Sequence, residues 1–264
     1  MFTVQQTTHD YLNIVLTHNC TRQCPFCVDP YRGSGETISI EHVRAALAFA
    51  RAQGVQDILL TGGEPTLHPE VEAIVAMVNA AGFRAIMTTN YSRPEVVRAL
   101  DGMVACFNIS YYGQPHLPRQ ADFRSDLTLH TLIHARQLST HAELDAFIEQ
   151  HQAHGHLKFS TLVPCTPWAA EHQQVGYLNE LDCEWVVLFN EILGQVYRGA
   201  IIKRYDRIIN PRAHQSFKAH VDGQITQSWD RASLPISSHH EIHSQDISPE
   251  RFASPPVEGA GCLH

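Results

Sequence analysis

Apolar residues in the first part of the chain follow two alternating rhythms. The unbroken run Leu12 to Leu16 has the length of a buried strand, and after it Ile40, Val43, Leu47 and Ala50 recur at helical spacing between an N-cap Ser39 and Gly54. The unit then repeats. Asp57-ILL predicts a second strand, Thr61-GGEPTLH a loop, and Pro69 to Ala81 a helix with proline in its first turn and Gly82 past its end. A third unit runs from Arg84-AIMTTN through Pro94-EVVRAL to Gly102. Val104-ACFNIS predicts a fourth strand, Leu127-TLHTLIHA a fifth and His156-LKFSTLV a sixth, with a capping-box helix from Thr140-HAE carrying Leu144, Phe147 and Ile148. Strands alternating with helices at this interval predict parallel β/α units, whose ligands gather at the carboxyl ends of the strands.

Two regions leave this rhythm. Gly113 to Asp126 carries two prolines and no apolar periodicity, so that crossover is expected to be a loop. Beyond Pro164 the pattern predicts a helix from Asn179 to Leu193, then Tyr197-RGAIIKRYDRII as a solvated edge strand, and Phe217-KAHVDGQITQSW as a hairpin turning at Asp222-Gly223. Ala232 to His264 is rich in Ser, Pro and His and reads as loop or tail. Residues 1–165 are therefore expected to form a β/α core, and residues 166–264 an extension and tail that close it within the same structural domain.

Composition narrows the class. With 264 residues and 44% apolar content the chain can bury a real core. Its apolar runs fall far short of the ~20 residues that cross a bilayer, and Met1 to Asp10 lacks a signal peptide's basic start, so a cytoplasmic location and no membrane partner are expected. A formal charge of −8 argues against nucleic acid as a partner. The 18 histidines have no regular spacing and are read mostly as surface positions.

The seven cysteines form no disulfide framework, and three of them stand within one short stretch, Cys20-TRQ-Cys24-PF-Cys27, after the first strand. A structural zinc site closes with four protein ligands, usually as two pairs, and the sequence holds no second pair of suitable spacing. Three thiolates in a short loop suit a 4Fe-4S cubane with one iron left open to a small molecule.

Cys20-TRQ-Cys24-PF-Cys27, the aromatic before its third cysteine, and Thr61-GGEP after the second strand closely resemble the radical S-adenosylmethionine (radical SAM) enzymes. The resemblance continues through Thr88-TN and Asn108-IS and spans roughly residues 10 to 165. It implies an α/β fold, a partial (β/α)6 TIM-like barrel of parallel strands with a C-terminal α+β extension. It implies one 4Fe-4S cluster on Cys20, Cys24 and Cys27, with S-adenosylmethionine bound to the open iron. Gly62 and Gly63 would let backbone approach the methionine amino end, with Glu64 near that cationic end and Pro65 fixing the turn. Phe26 would lie against the adenine or pack to limit solvent access. Thr88, Asn90 and Ser110 would bond the ribose hydroxyls and the methionine carboxylate, or merely cap strand ends. On the fifth strand His130, His134 and Arg136 share a face by alternation, in contact with cofactor or substrate or as satisfied rim residues. Arg136 could grip a carboxylate. Lys158 reads as a solvated strand end.

The activity implied is reductive cleavage of S-adenosylmethionine to a 5′-deoxyadenosyl radical that takes hydrogen from a small, polar or anionic substrate, with flavodoxin or ferredoxin as electron donor. About ten residues precede the first strand, so no preceding peptide-binding domain is expected. Arg198, Lys203, Arg204 and Arg207 would favour an anionic small molecule if their stretch lines the mouth. Of Tyr111 and Tyr112, one ring could contact substrate while the other packs outward. Cys262 is either an inert tail thiol or a hydrogen-atom donor or nucleophile delivered over the barrel mouth. Two other functions stay open: a glycyl-radical-enzyme activase, and an iron-sulfur electron-transfer or sensor protein without turnover.

Overall fold

The computed structural model describes residues 11–173, 176–188, 192–208, 216–227 and 231. Six strands alternate with helices: β1 (Tyr11–Thr17), α1 (Ile40–Ala52), β2 (Asp57–Gly62), α2 (Val71–Ala80), β3 (Arg84–Thr89), α3 (Pro94–Ala99), β4 (Cys106–Ser110), β5 (Asp126–Ile133), α4 (His141–His151) and β6 (His156–Thr161). The chain continues with a short α5 (Pro167–Glu171), β7 (Glu184–Leu188), β8 (Ile192–Tyr197), β9 (Ala200–Ile208), β10 (Phe217–Ala219) and β11 (Ile225–Thr226). All the strands join one sheet in the order β11-β10-β1-β2-β3-β4-β5-β6-β9-β8-β7. Strands β1 to β6 are parallel and sequential, as right-handed β/α crossovers require. The result is an α/β fold, a partial barrel with an open seam. Among the described residues, no helix is long and apolar enough to cross a membrane.

Alternation along each strand divides the sheet into two unlike faces. One face carries Leu12, Ile14, Ile58, Leu60, Met87, Phe107, Leu127 and Phe159, which share a buried cluster with Val43 and Leu47 of α1, Ile74 and Val78 of α2, and Leu144 and Phe147 of α4. Phe147 meets Phe159 edge-on with ring centroids 5.6 Å apart. The opposite, inner wall is mostly polar: Asn13 on β1, Thr88 on β3, Asn108 and Ser110 on β4, Thr128 and His130 on β5, and Lys158 and Ser160 on β6. Burying such groups is costly unless they find partners or line a ligand space. The apolar face thus holds the fold together, and the inner wall is left for binding.

The β/α core follows the sequence expectation closely. The capping box of α4 forms in full, Thr140 accepting from the Glu143 backbone and Glu143 reaching back to the Thr140 backbone. The stretch Gly113 to Asp126 holds only a single 3₁₀ turn, Gln120–Asp122. Pro69 differs slightly, since it precedes the N-cap Glu70 of α2 instead of entering the helix.

The extension departs further. The expected helix from Asn179 to Leu193 is absent; the segment forms β7 and the start of β8, an antiparallel pair. Its apolar residues stand in two continuous runs, WVVLF and IL, which suit strands better than a helical stripe. The stretch Tyr197 to Arg207 is no solvated edge, because β9 lies between β6 and β8, parallel to one and antiparallel to the other. Lys158 is no solvated end either, being only 7% exposed on the inner wall. The hairpin at Asp222-Gly223 is present as β10 and β11, and β10 runs parallel to β1. Cys262 and the tail Ala232 to His264 lie outside the described residues.

Arg204 explains how a cation enters the middle of a sheet. Its fully buried guanidinium donates to Asp206 Oδ1 at 2.8 Å and Oδ2 at 2.6 Å, to Gln195 Oε1 at 2.8 Å and to Asn179 Oδ1 at 3.0 Å. Removing one partner of such a network strands the others, at a cost of about 3–5 kcal/mol. Arg204→Ala is therefore expected to lower the urea midpoint of unfolding sharply, and an unchanged midpoint would show the network to be dispensable.

Candidate active site

The cysteine loop leaves β1 and returns to α1, and it is held from several sides. His18 Nδ1 and Asp29 Oδ2 are 2.8 Å apart in a buried pair, and Arg32 Nη1 donates to the Cys24 carbonyl at 2.7 Å. Each thiol has its own neighbour. Cys20 Sγ accepts from the Arg22 amide at 3.4 Å and from Asn90 Nδ2 at 3.6 Å. The Cys27 thiol faces the Asp29 carbonyl at 3.9 Å, and Cys24 lines the same cavity as Tyr112. Burial pushes the thiols of Cys24 and Cys27 above their ordinary range, and the charges of Cys27 and Cys20 add to the rise at Cys24, those of Asp29 and Cys20 to the rise at Cys27. The three sulfurs therefore sense one another. Yet among the described residues no three Cys, His, Asp or Glu side chains converge on the position of a single metal ion. Three thiols in one short loop are the donor type that iron-sulfur clusters take.

The glycines of the Thr61-GGEP loop also serve the fold itself. A side chain at Gly62 would collide with the Thr17 carbonyl, and one at Gly63 with the Asn19 carbonyl. Gly63 N donates to Thr17 O at 2.7 Å and Glu64 N to Asn19 O at 2.7 Å. The missing side chains thus let the ends of β1 and β2 pair by backbone. Glu64 is fully buried and turns its carboxylate to its own chain. Oε1 accepts from Thr66 Oγ1 at 2.6 Å, Thr66 N at 3.1 Å and Thr89 Oγ1 at 2.7 Å, and Oε2 accepts from Asn90 N at 2.6 Å. Pro65 opens a 3₁₀ turn capped by Glu64. This clamp joins the second loop to the end of β3, where the Asn90 side chain reaches Thr21 Oγ1 at 3.1 Å as well as Cys20.

A cavity of about 440 Å³, within the range of small-molecule sites, opens between the cysteine loop and the ends of β4 and β5. Cys24 and Phe26 line one side, Tyr111, Tyr112, Leu132 and His134 the other. Phe26 lies 5.7 Å from Trp168 and 6.2 Å from His134 between ring centroids, and the Thr166 hydroxyl ahead of α5 donates to Pro25 O at 3.0 Å. An aromatic wall thus shields the loop from one direction. Tyr111 reaches the cavity, but its ring packs edge-on against Phe147 of α4 at 5.0 Å. Tyr112 points to the cysteines, with the Arg22 guanidinium 4.4 Å over its ring. Its hydroxyl is pushed well above its ordinary range, first by burial and then by the Cys24 charge, so it stays protonated.

Thr88 and Ser110 sit on the inner wall, partly accessible, as their strand positions predict. His130 lies on the same wall, with Nε2 at 2.8 Å from Ser160 Oγ. Its imidazole is held well below its ordinary range, chiefly by desolvation and then by the cations Lys158 and Lys203, and is therefore neutral. His134 stands at the cavity in a turn past the end of β5. Arg136 does not share that face, because the strand stops at Ile133 and Arg136 is exposed in the turn, its amide on His134 Nδ1 at 3.2 Å. Sequence reasoning missed Tyr112 as the cysteine-facing ring, Trp168 as part of the wall, and the buried Asn108. The -SYY- repeat at the end of β4 was the available signal for the first.

Residues 14–112 match the Radical SAM superfamily model. A GTP 3′,8-cyclase of Campylobacter fetus is 36% identical over 87 residues, 31% of this chain and 27% of that protein. Molybdenum cofactor biosynthesis protein 1 of Mus musculus is 35% identical over 88 residues, 31% of this chain and 14% of that one. This chain thus matches only 27% and 14% of the length of those relatives. Among solved structures, SuiB of Streptococcus suis bound to S-adenosylmethionine shares the fold, with a TM-score of 0.51 at 13% identity over 82% of this chain and 59% of that one. Residues 14–112 of this chain thus carry a Radical SAM superfamily match, a family that implies S-adenosylmethionine and an iron-sulfur cluster.

Proposed function

We propose that Cys20, Cys24 and Cys27 hold one 4Fe-4S cluster, that S-adenosylmethionine is cleaved beside it, and that hydrogen is taken from a small polar substrate seated in the barrel. The observation that carries this is the three-cysteine loop, whose Cys24 lines a cavity at the carboxyl ends of the strands. The chemistry that the bound group would supply is one-electron cleavage of a sulfonium carbon–sulfur bond, leaving a carbon radical able to abstract hydrogen. The chain's own residues bind, orient and exclude water. Asn90 holds the sulfur of Cys20, while Phe26, His134 and Trp168 keep water from the loop. Thr88 and Ser110 offer hydroxyls on the inner wall for the cosubstrate's polar groups. A flavodoxin or ferredoxin would deliver the electron. GTP, which the relatives' names give as a substrate, belongs to the polar class and is one compound to assay.

Anaerobic reconstitution is expected to give about four irons per chain and, on reduction with S-adenosylmethionine present, 5′-deoxyadenosine. A colourless protein that binds zinc and yields none would overturn the reading. Cys24→Ala should lose iron and all cleavage while the apoprotein melts as before, since the loop lies outside the apolar core. Glu64→Gln sets an amide NH₂ where only donors approach, so the apoprotein should lose about 1–3 kcal/mol of stability even without iron. An unaltered melting curve with cleavage abolished would instead make Glu64 a contact of the cosubstrate.

A further inference from the structure

Only Asn90, Tyr91, Ser92 and Arg93 separate the end of β3 from the start of α3. A turn this tight usually places glycine where the backbone goes left-handed, yet Tyr91 holds φ at 57°. Its Cβ makes that conformation unfavourable, and such a residue persists only where its surroundings over-determine it. Here they do. Tyr91 N donates to Thr89 Oγ1 at 3.0 Å, and its ring packs against the apolar cluster. On the other side Asn90 N is bound by the buried Glu64 carboxylate at 2.6 Å. Anchored at both ends, the strained turn fixes the direction in which the Asn90 side chain leaves the sheet.

That side chain is buried, and its donors and acceptor have definite partners. The Asn90 side-chain oxygen accepts from Ser92 N at 2.9 Å. A backbone N–H can only donate, so the atom facing it is the oxygen, and the NH₂ group must turn the other way. There it meets Thr21 Oγ1 at 3.1 Å and Cys20 Sγ at 3.6 Å, one hydrogen for each. Thr21 Oγ1 in turn donates to Ser92 Oγ at 3.0 Å, which ties the cysteine loop to the turn a second time. Neither amide hydrogen is left over for a ribose or carboxylate oxygen. Cys20 also accepts from Arg22 N at 3.4 Å, whereas the Cys27 thiol faces a carbonyl. The cysteines are therefore electrically unequal, and Cys20 is the one that N–H groups approach.

We propose that Asn90 is a positioning residue for the cluster: through its hydrogen bond to Cys20 it holds that ligand in place and raises the potential at which the cluster accepts an electron. This rests on the cluster proposed above. The reduced cluster carries one electron more than the oxidised one, so a dipole with its positive end on a ligand sulfur stabilises the reduced form more. Hydrogen bonds to the sulfurs are among the features that set cluster potentials. The Arg22 donor belongs to the backbone and is present whatever the side chain, which leaves Asn90 as the donor that the sequence can change. The strain at Tyr91 thereby acquires a purpose, since it presents a rigid amide to the first cysteine.

A redox titration of the reconstituted full chain, followed by electron paramagnetic resonance, gives the midpoint potential of the cluster. Asn90→Leu, close in size but without a donor, is expected to shift that midpoint to a more negative value at unchanged iron content. Asn90→Asp keeps an oxygen for Ser92 N but sets a second oxygen against the sulfur, and should shift the midpoint further in the same direction. Midpoints equal to that of the wild type in both variants would overturn the proposal. An unmoved midpoint with calorimetric binding of S-adenosylmethionine weakened tenfold would make Asn90 a contact of the cosubstrate instead. The apoprotein supplies a readout that needs no iron. With isotope-labelled asparagine, one Asn90 side-chain hydrogen resonance should move in Cys20→Ala and the other in Thr21→Val. A wild type that takes up no iron overturns the cluster reading and the potential with it, whereas resonances indifferent to Cys20→Ala overturn the contact even where iron binds.

Discussion

The carboxylate of Glu64 is buried completely, and a buried charge is tolerable only when enough donors surround it. Four do, from Thr66, Thr89 and the Asn90 backbone, and by meeting that requirement they fix the end of β3 against the loop that follows β2. The next links are short. Glu64 N and Gly63 N bind the carbonyls that lead β1 into the cysteine loop, and the Asn90 side chain bonds Thr21 and approaches Cys20. Three strand ends and the first thiol are thus positioned by one acid, two residues without side chains, and one amide. The glycines matter because any Cβ would drive the strand ends apart.

Much of this was legible in the sequence, for identifiable reasons. The β/α core alternates with clear periods, the capping box at Thr140 and Glu143 is a local signal, and the cysteine spacing and Thr61-GGEP are short motifs that need no tertiary knowledge. What could not be read depends on register and neighbours. Apolar runs near Trp185 and Ile192 fit either a helix or a strand until β9 offers them an edge to pair with. Lys158 looks solvated by residue type, and only the pairing of β6 with β9 shows that it is enclosed. The alternation His130, His134, Arg136 was visible, but the strand's stop at Ile133 was not, and so Arg136 left the face it had been given. Tyr111 and Tyr112 differ by one position, enough for one ring to face α4 and the other the thiols.

The two faces of the sheet divide the labour of stability and binding. One is apolar, closed and covered by α1 to α4; the other is polar, open and lined by groups that a folding argument alone would disfavour. Such groups are retained where binding needs them, and the extension contributes by adding β9 to a wall that the β/α units leave incomplete.

Residues far along the chain cover both edges of the parallel core, β10 beside β1 and β9 beside β6. Asn13 Nδ2 donates to Phe217 O at 3.1 Å across 204 positions of sequence. During synthesis the first strand is therefore made long before the strand that protects its outer edge. For that interval it presents unpaired backbone groups to any other extended chain, the situation in which sheets associate wrongly. Yield of folded protein should thus be governed by how quickly the last strands arrive, and a delay late in translation would harm this chain more than a delay early in it.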